Sequence, residues 1–182
     1  GDTSTNDACI LIATGQAELA PYNDTNSPLW QPFRDGLKRI FQELAHAIVR
    51  DAEGATKFIR VMVENALDSK DALEVAYTIA HSALVKTAFF ASDPNWGRIL
   101  AAIGRARIND LMVERLTIWL NDLCIVSGGE RALGYEEAAG QAVMAQADIL
   151  VRVNLGMGNV TESVWTSDLS HEYVRINAEY RT

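Results

Sequence analysis

Few residues of this chain combine a type and a setting suited to chemistry, and they fall in three short segments. Glu53 follows a run of helical periodicity and is joined to Gly54, whose freedom allows a turn with backbone close to a ligand. A carboxylate there suits the ammonium of an amino-acid substrate, held by charge-assisted hydrogen bonds. The plain alternative is a solvated turn carboxylate. Thr56 and Lys57 are weaker candidates, with Lys57 either facing a substrate carboxylate or simply exposed at the opening of a strand. Asn177 offers amide donors and an acceptor, and Thr182 a hydroxyl plus the terminal carboxylate. A chain end is ordinarily frayed and silent, so the tail by itself carries no role.

The third segment is KTAFFASDPNWGRILAAIG, residues 86–104. Its apolar opening reads as a strand entering a turn, Asp93 to Gly97, that leads into a helix. Asp93 is expected to cap that helix, Pro94 to fit its first turn and Gly104 its end. A helix N-terminus favours an anionic group, but a well-capped surface helix explains the pattern equally. Asp93 and Arg98 are accordingly read as structural, through capping and helix pairing.

These segments must be positioned by a mixed α and β chain. Residues 8–13 (ACILIA) predict a buried strand, and 29–51 an amphipathic helix with Phe33, Leu37, Ile40, Phe41, Leu44 and Ile48 at helical spacing. Residues 57–63 alternate as a strand. Residues 71–84 predict a second helix capped by Asp68 or Ser69, followed by a strand at 85–91 and a helix at 95–104. Strands, many antiparallel, are expected at 111–119, 122–126, 148–155 and 160–166, with a last helical turn at 170–176.

Composition sets outer bounds. The 182 residues, 48% hydrophobic, suffice for one substantial core, so residues 1–182 are expected to form a single domain. Sixteen basic against twenty-four acidic residues give a net charge of -8 without a basic cluster, which argues against nucleic acid or an anionic membrane as partner. No apolar run is long enough to span a bilayer and no secretory signal is visible. Cys9 and Cys124 lack metal or redox spacing and are expected as buried thiols, consistent with a cytoplasmic location. Three scattered histidines, His46, His81 and His171, make a metal centre improbable.

Read together, DPNWGR between its flanks, AEGATKF at 52–58 and WTSDLSHEYVRINAEYRT at 165–182 resemble, in the same order, the ornithine acetyltransferase (glutamate N-acetyltransferase) family of arginine biosynthesis. GDTSTND at 1–7 and GYEEAAGQAVMAQADILVRVNL at 134–155 agree, so the resemblance covers nearly the whole chain. It implies a layered αββα-type sandwich, the DmpA/ornithine acetyltransferase N-terminal-nucleophile-like fold. It also implies that Glu53, Asn177 and Thr182 bind the amino-acid substrate, with Tyr173, Ile176 and Tyr180 packing the tail down. Ser167 and Glu179 look like mild departures from the family pattern.

Enzymes of the family resemble N-terminal-nucleophile hydrolases, in which cleavage at an internal Ala-Thr bond frees a threonine whose amine serves as base for its hydroxyl. The family's Ala-Thr-Met run does not occur in these 182 residues; Ala13-Thr14-Gly15 and Ala55-Thr56-Lys57 are different contexts. No catalytic nucleophile is therefore assigned here, Thr3 and Thr5 included. The resemblance places the nucleophile and the oxyanion donors in an upstream portion, the α chain and the first part of the β chain, with a heterotetramer as the implied assembly. The implied reaction moves acetyl from N-acetylornithine to glutamate, with acetyl-CoA as a conceivable second donor and no metal or organic cofactor. The other readings are a related N-terminal-nucleophile amidase or aminopeptidase, and a non-catalytic fragment.

Overall fold

Period-two alternation from Phe58 to Ala66 puts Ile59, Val61 and Val63 on one face of a strand, and each is essentially fully buried. This strand, β1, is second from one edge of a six-stranded sheet. The computed structural model describes residues 7–17 and 24–179, and the chain divides into two units, Gly1–Ala45 and His46–Thr182. Helix α1 (Trp30–Arg50) runs through the division.

After β1 come α2 (Ser69–Ala80), α3 (Ala83–Phe90) and α4 (Trp96–Gly104), then β2 (Thr117–Leu120), β3 (Leu123–Ser127) and β4 (Glu130–Arg131). Helix α5 (Glu137–Met144), β5 (Asp148–Asn154), β6 (Val160–Ser167) and α6 (His171–Glu179) complete the order. The sheet runs β4-β3-β2-β5-β1-β6. Only β1 and β5 pair in parallel, and every other neighbouring pair is antiparallel. A mixed α/β architecture is therefore present as expected, and the described residues supply one sheet with its helices.

Register aligns the buried face: Val61 lies opposite Val151 on β5 and Val164 on β6, while Ile118 and Leu120 of β2 face Val153 and Val151. Against this face pack Val75 and Ile79 of α2, Phe89 of α3, Ile103 of α4 and Met144 of α5. The other face carries Phe58, Arg60, Met62, Trp119, Leu150, Arg152 and Trp165, all half-buried except the exposed Arg60. Arg60 lies near the Trp165 ring at 5.8 Å and Arg152 over Trp119 at 4.2 Å. At one end of that face His46 meets the rings of Phe58 and Trp165, with centroids 5.4 and 4.5 Å away.

Several expectations are corrected. The run 85–91 is the helix α3, not a strand: Ser82 caps it through Val85 N, and Val85, Ala88 and Phe89 turn inward at helical spacing. The helix expected over 71–84 ends at Ala80, because His81 and Ser82 break it before α3; its cap is Asp68, whose carboxylate accepts from Asp71 N at 2.8 Å. Helix α4 is capped by Asn95 Oδ1, which accepts from Arg98 N at 3.2 Å. Asp93 instead accepts from Asn95 Nδ2 at 3.0 Å and orients that cap, while Pro94 precedes the helix and Gly104 lies inside it. Within 111–119 only the end is strand, after a 3-10 turn at Val113–Arg115.

The run 8–13 forms no strand, and Ile10, Leu11 and Ile12 are exposed. Among the described residues it has no neighbouring strand, and an unpaired strand leaves its backbone donors unsatisfied. Cys9 is exposed and Cys124 half-buried, so neither is the fully buried thiol expected.

Candidate functional site

The turn between α1 and β1 positions Glu53. Gly54 adopts φ +66°, the left-handed region that glycine enters without strain, and the start of α6 is packed directly against it. A Cβ at this position would meet Ser170 Oγ at 2.7 Å, Glu172 Cβ at 2.8 Å and Tyr173 N at 2.9 Å. Only glycine permits that approach.

Asp168 then fastens the two segments. Its carboxylate, 4% exposed, accepts from Thr56 N at 2.8 Å, Thr56 Oγ1 at 2.6 Å and Lys57 N at 2.9 Å. Two residues on, Ser170 Oγ accepts from Tyr173 N at 3.3 Å and starts α6. One and a half turns along that helix, the Asn177 amide donates to Glu53 Oε2 at 2.6 Å and to Tyr173 O at 2.9 Å. Glu53 and Asn177, 124 residues apart in sequence, therefore meet on an exposed surface.

Their chemistry is complementary to an ammonium. Once Asn177 has used its donors, Glu53 presents its remaining lone pairs and Asn177 its amide oxygen, all acceptors, beside one full negative charge. Thr182 and Tyr180 lie outside the described residues. Of the expected tail anchors, Ile176 is half-buried and Tyr173 exposed at 39%.

Of the two readings of Lys57, the exposed one is corrected. Lys57 is buried, with Nζ donating to Gln146 O at 3.3 Å and its backbone N–H to Asp168. Thr56 serves Asp168 through both its amide and its hydroxyl. A different lysine approaches this region: Lys86 of α3, whose Nζ donates to Thr166 Oγ1 at 2.8 Å and to the Ser167 carbonyl. Burial lowers the pKa of its ammonium, and the negative charge of Asp168 opposes that shift. Asp168 and Lys86 both escaped the sequence reading. Asp168 stands within the tail motif, yet nothing in a single sequence pairs it with a residue 112 positions earlier.

In the DPNWGR segment Arg98 pairs two helices, as read, whereas Asp93 orients the Asn95 cap instead of forming it. Arg98 Nη1 donates to Leu84 O at 2.8 Å and Thr87 Oγ1 at 3.4 Å, tying α4 to α3. Cavities of about 650 and 430 Å3 flank these helices, the first bordered by His81, Arg98 and Arg105, the second by Phe90, Asp93, Ser170 and His171. Neither is lined by Glu53 or Asn177. No group of acidic, histidine and cysteine side chains suited to a metal occurs among the described residues.

This arrangement is an α/β fold of the N-terminal-nucleophile-hydrolase-like class. A crystal structure of arginine biosynthesis bifunctional protein ArgJ from Bacillus halodurans matches it with TM-score 0.87 and 40% identity, covering 99% of this chain and 84% of that one. The ArgJ family pattern matches residues 1–182, and the chain belongs to the ArgJ family. Curated relatives named arginine biosynthesis bifunctional protein ArgJ are 54% identical in Pseudomonas fluorescens and 56% in Methylococcus capsulatus, each over all 182 residues. The chain spans 45% and 44% of their respective lengths.

Proposed function

We propose that this chain supplies the amino-acid-binding part of a glutamate N-acetyltransferase, which moves acetyl from N2-acetyl-L-ornithine to L-glutamate. The observation that carries the reading is the hydrogen bond between Asn177 and Glu53, two residues assigned to the substrate on the family resemblance alone. They form an acceptor-rich, negatively charged patch fit for a substrate ammonium. Membership of the ArgJ family, with relatives named for arginine biosynthesis, supports the same assignment.

In this reading a threonine outside these 182 residues is the nucleophile. Its hydroxyl, deprotonated by its own α-amine, attacks the acetyl carbonyl and gives a tetrahedral oxyanion that donors of the upstream portion stabilise. Collapse breaks the carbon–nitrogen bond, ornithine leaves with the proton, and an acetyl-threonine ester remains. The amine of glutamate then attacks the ester and regenerates the hydroxyl. Glu53, Asn177 and, in the same proposal, Thr182 hold the amino acid while these bonds change, which converts a bimolecular encounter into an oriented one. The upstream α chain and the first part of the β chain complete the site in a cytoplasmic heterotetramer. Acetyl-CoA is proposed as an alternative donor, and no metal or organic cofactor takes part.

The test is transfer of acetyl from N-acetylornithine to labelled glutamate, comparing this chain alone with the chain co-expressed with the upstream portion. Labelled N-acetylglutamate only in the combined sample is the expected result. Release of free acetate without transfer would assign an amidase instead, and activity of the lone chain would move the nucleophile into these residues.

A further inference from the structure

We infer that Asp168 is a positioning residue: with Lys86 bracing the strand end before it, its carboxylate clasps the Thr56–Lys57 backbone and so brings Asn177 of α6 onto Glu53. The inference rests on the substrate-binding role proposed for that pair.

Asp168 sits at the one point where both partners of the pair can be set. On one side it takes three hydrogen bonds from Thr56 and Lys57, three and four residues after Glu53. On the other side it lies two residues ahead of Ser170, which caps α6, and nine ahead of Asn177. A buried carboxylate must be satisfied, and two backbone amides and a hydroxyl fix its direction tightly. The turn and the helix start are thereby held in one relative position, which the close approach at Gly54 also demands.

Lys86 supports the clasp from the sheet's helical side. Its ammonium holds Thr166 Oγ1 and the Ser167 carbonyl, and the Leu169 amide donates back to Lys86 O at 3.2 Å, so α3 grips the chain on both sides of Asp168. The KTAFF segment, which has no place in the substrate patch itself, thus acquires a role behind it. Neither Asp168 nor Lys86 reaches that patch, so each acts through Glu53 and Asn177.

The experiment uses the chain together with its upstream portion and compares wild type with Asp168→Ala, Asp168→Asn and Thr56→Val. The readouts are steady-state kinetics with N-acetylornithine and hydrogen exchange of peptides covering residues 52–57 and 170–179. Asp168→Ala is expected to raise KM by about tenfold or more while kcat falls less, and to speed exchange in both peptides. Asp168→Asn, which keeps an acceptor for the two backbone amides, restores part of both effects. Thr56→Val removes the hydroxyl alone and shifts both readouts less, and it decides the matter if Asp168→Ala does not fold. Wild-type KM together with wild-type exchange in a folded Asp168 variant overturns the clasp. A fall in kcat at unchanged KM and exchange also overturns it. If the wild-type enzyme transfers no acetyl, the proposed function falls, and the exchange of the two peptides alone decides whether Asp168 is the clasp.

Discussion

At the scale of residues, Glu53 is the side chain on which the proposed substrate patch turns. Its carboxylate supplies the charge of the Glu53–Asn177 pair, while Asn177 aims it through the 2.6 Å hydrogen bond. Glu53→Ala removes both the charge and the partner of Asn177, so KM for N-acetylornithine in the assembled enzyme should rise by about tenfold or more. Glu53→Gln keeps an oxygen for Asn177 and should fall between the two. Unchanged kinetics in the alanine variant would take Glu53 out of the site. Glu53 and Asn177 could be singled out, and the structure brings them together, because both stand in motifs whose wording is unusual. Asp168 could not be, since a buried carboxylate and a solvated one look alike in sequence. The exposed reading of Lys57 fails for a related reason: a lysine at a strand opening is ordinarily exposed, and its burial depends on the distant Gln146 carbonyl.

At the scale of elements, the long periodic segments were readable, and of the short ones β3 and α4 were read while α3 and α5 were not. Helix α1 and strands β1, β5 and β6 lie within a few residues of expectation because periodicity accumulates over seven or more positions. Helix α3 has eight residues and a mixed apolar composition, so its spacing was outweighed by a run that also suits a strand. Helix α5 went unread because small residues, Ala138, Ala139 and Gly140, hide its face. That smallness is what lets α5 lie against the turn before α4. A Cβ at Gly140 would meet Pro94 Cβ and Cγ at 2.9 Å and collide with the Tyr135 hydroxyl. Gly140→Ala gains about 1 kcal/mol of helix propensity but overpacks a buried contact, typically at a cost of about 1–3 kcal/mol. A lowered melting temperature is the expected outcome, followed by circular dichroism at 222 nm. A raised one would mean that α5 and the Pro94 turn move apart without penalty.

At the scale of the whole molecule, the described residues of His46–Thr182 cover one face of the sheet more fully than the other. Its inner face is closed by α2 to α5, whereas the other shows Met62, Leu150, Trp119 and Trp165 among the guanidinium groups of Arg60 and Arg152. Half-buried aromatic and aliphatic side chains arranged across four neighbouring strands, β2, β5, β1 and β6, make a surface that another protein layer would bury. The occupant we propose is the upstream portion of the same enzyme, because the curated relatives are more than twice as long as this chain. Two of the four tryptophans lie on this face, which makes the proposal directly readable. Co-expression with the upstream portion should shift the emission of Trp119 and Trp165 to the blue and protect them from acrylamide. Subtracting the spectra of Trp119→Phe and Trp165→Phe variants removes the contribution of Trp30 and Trp96. If the isolated chain and the complex gave the same difference spectra and the same quenching, this face would remain solvated in the enzyme. The upstream portion would then have to reach Glu53 and Asn177 from the side of α6 rather than across the sheet.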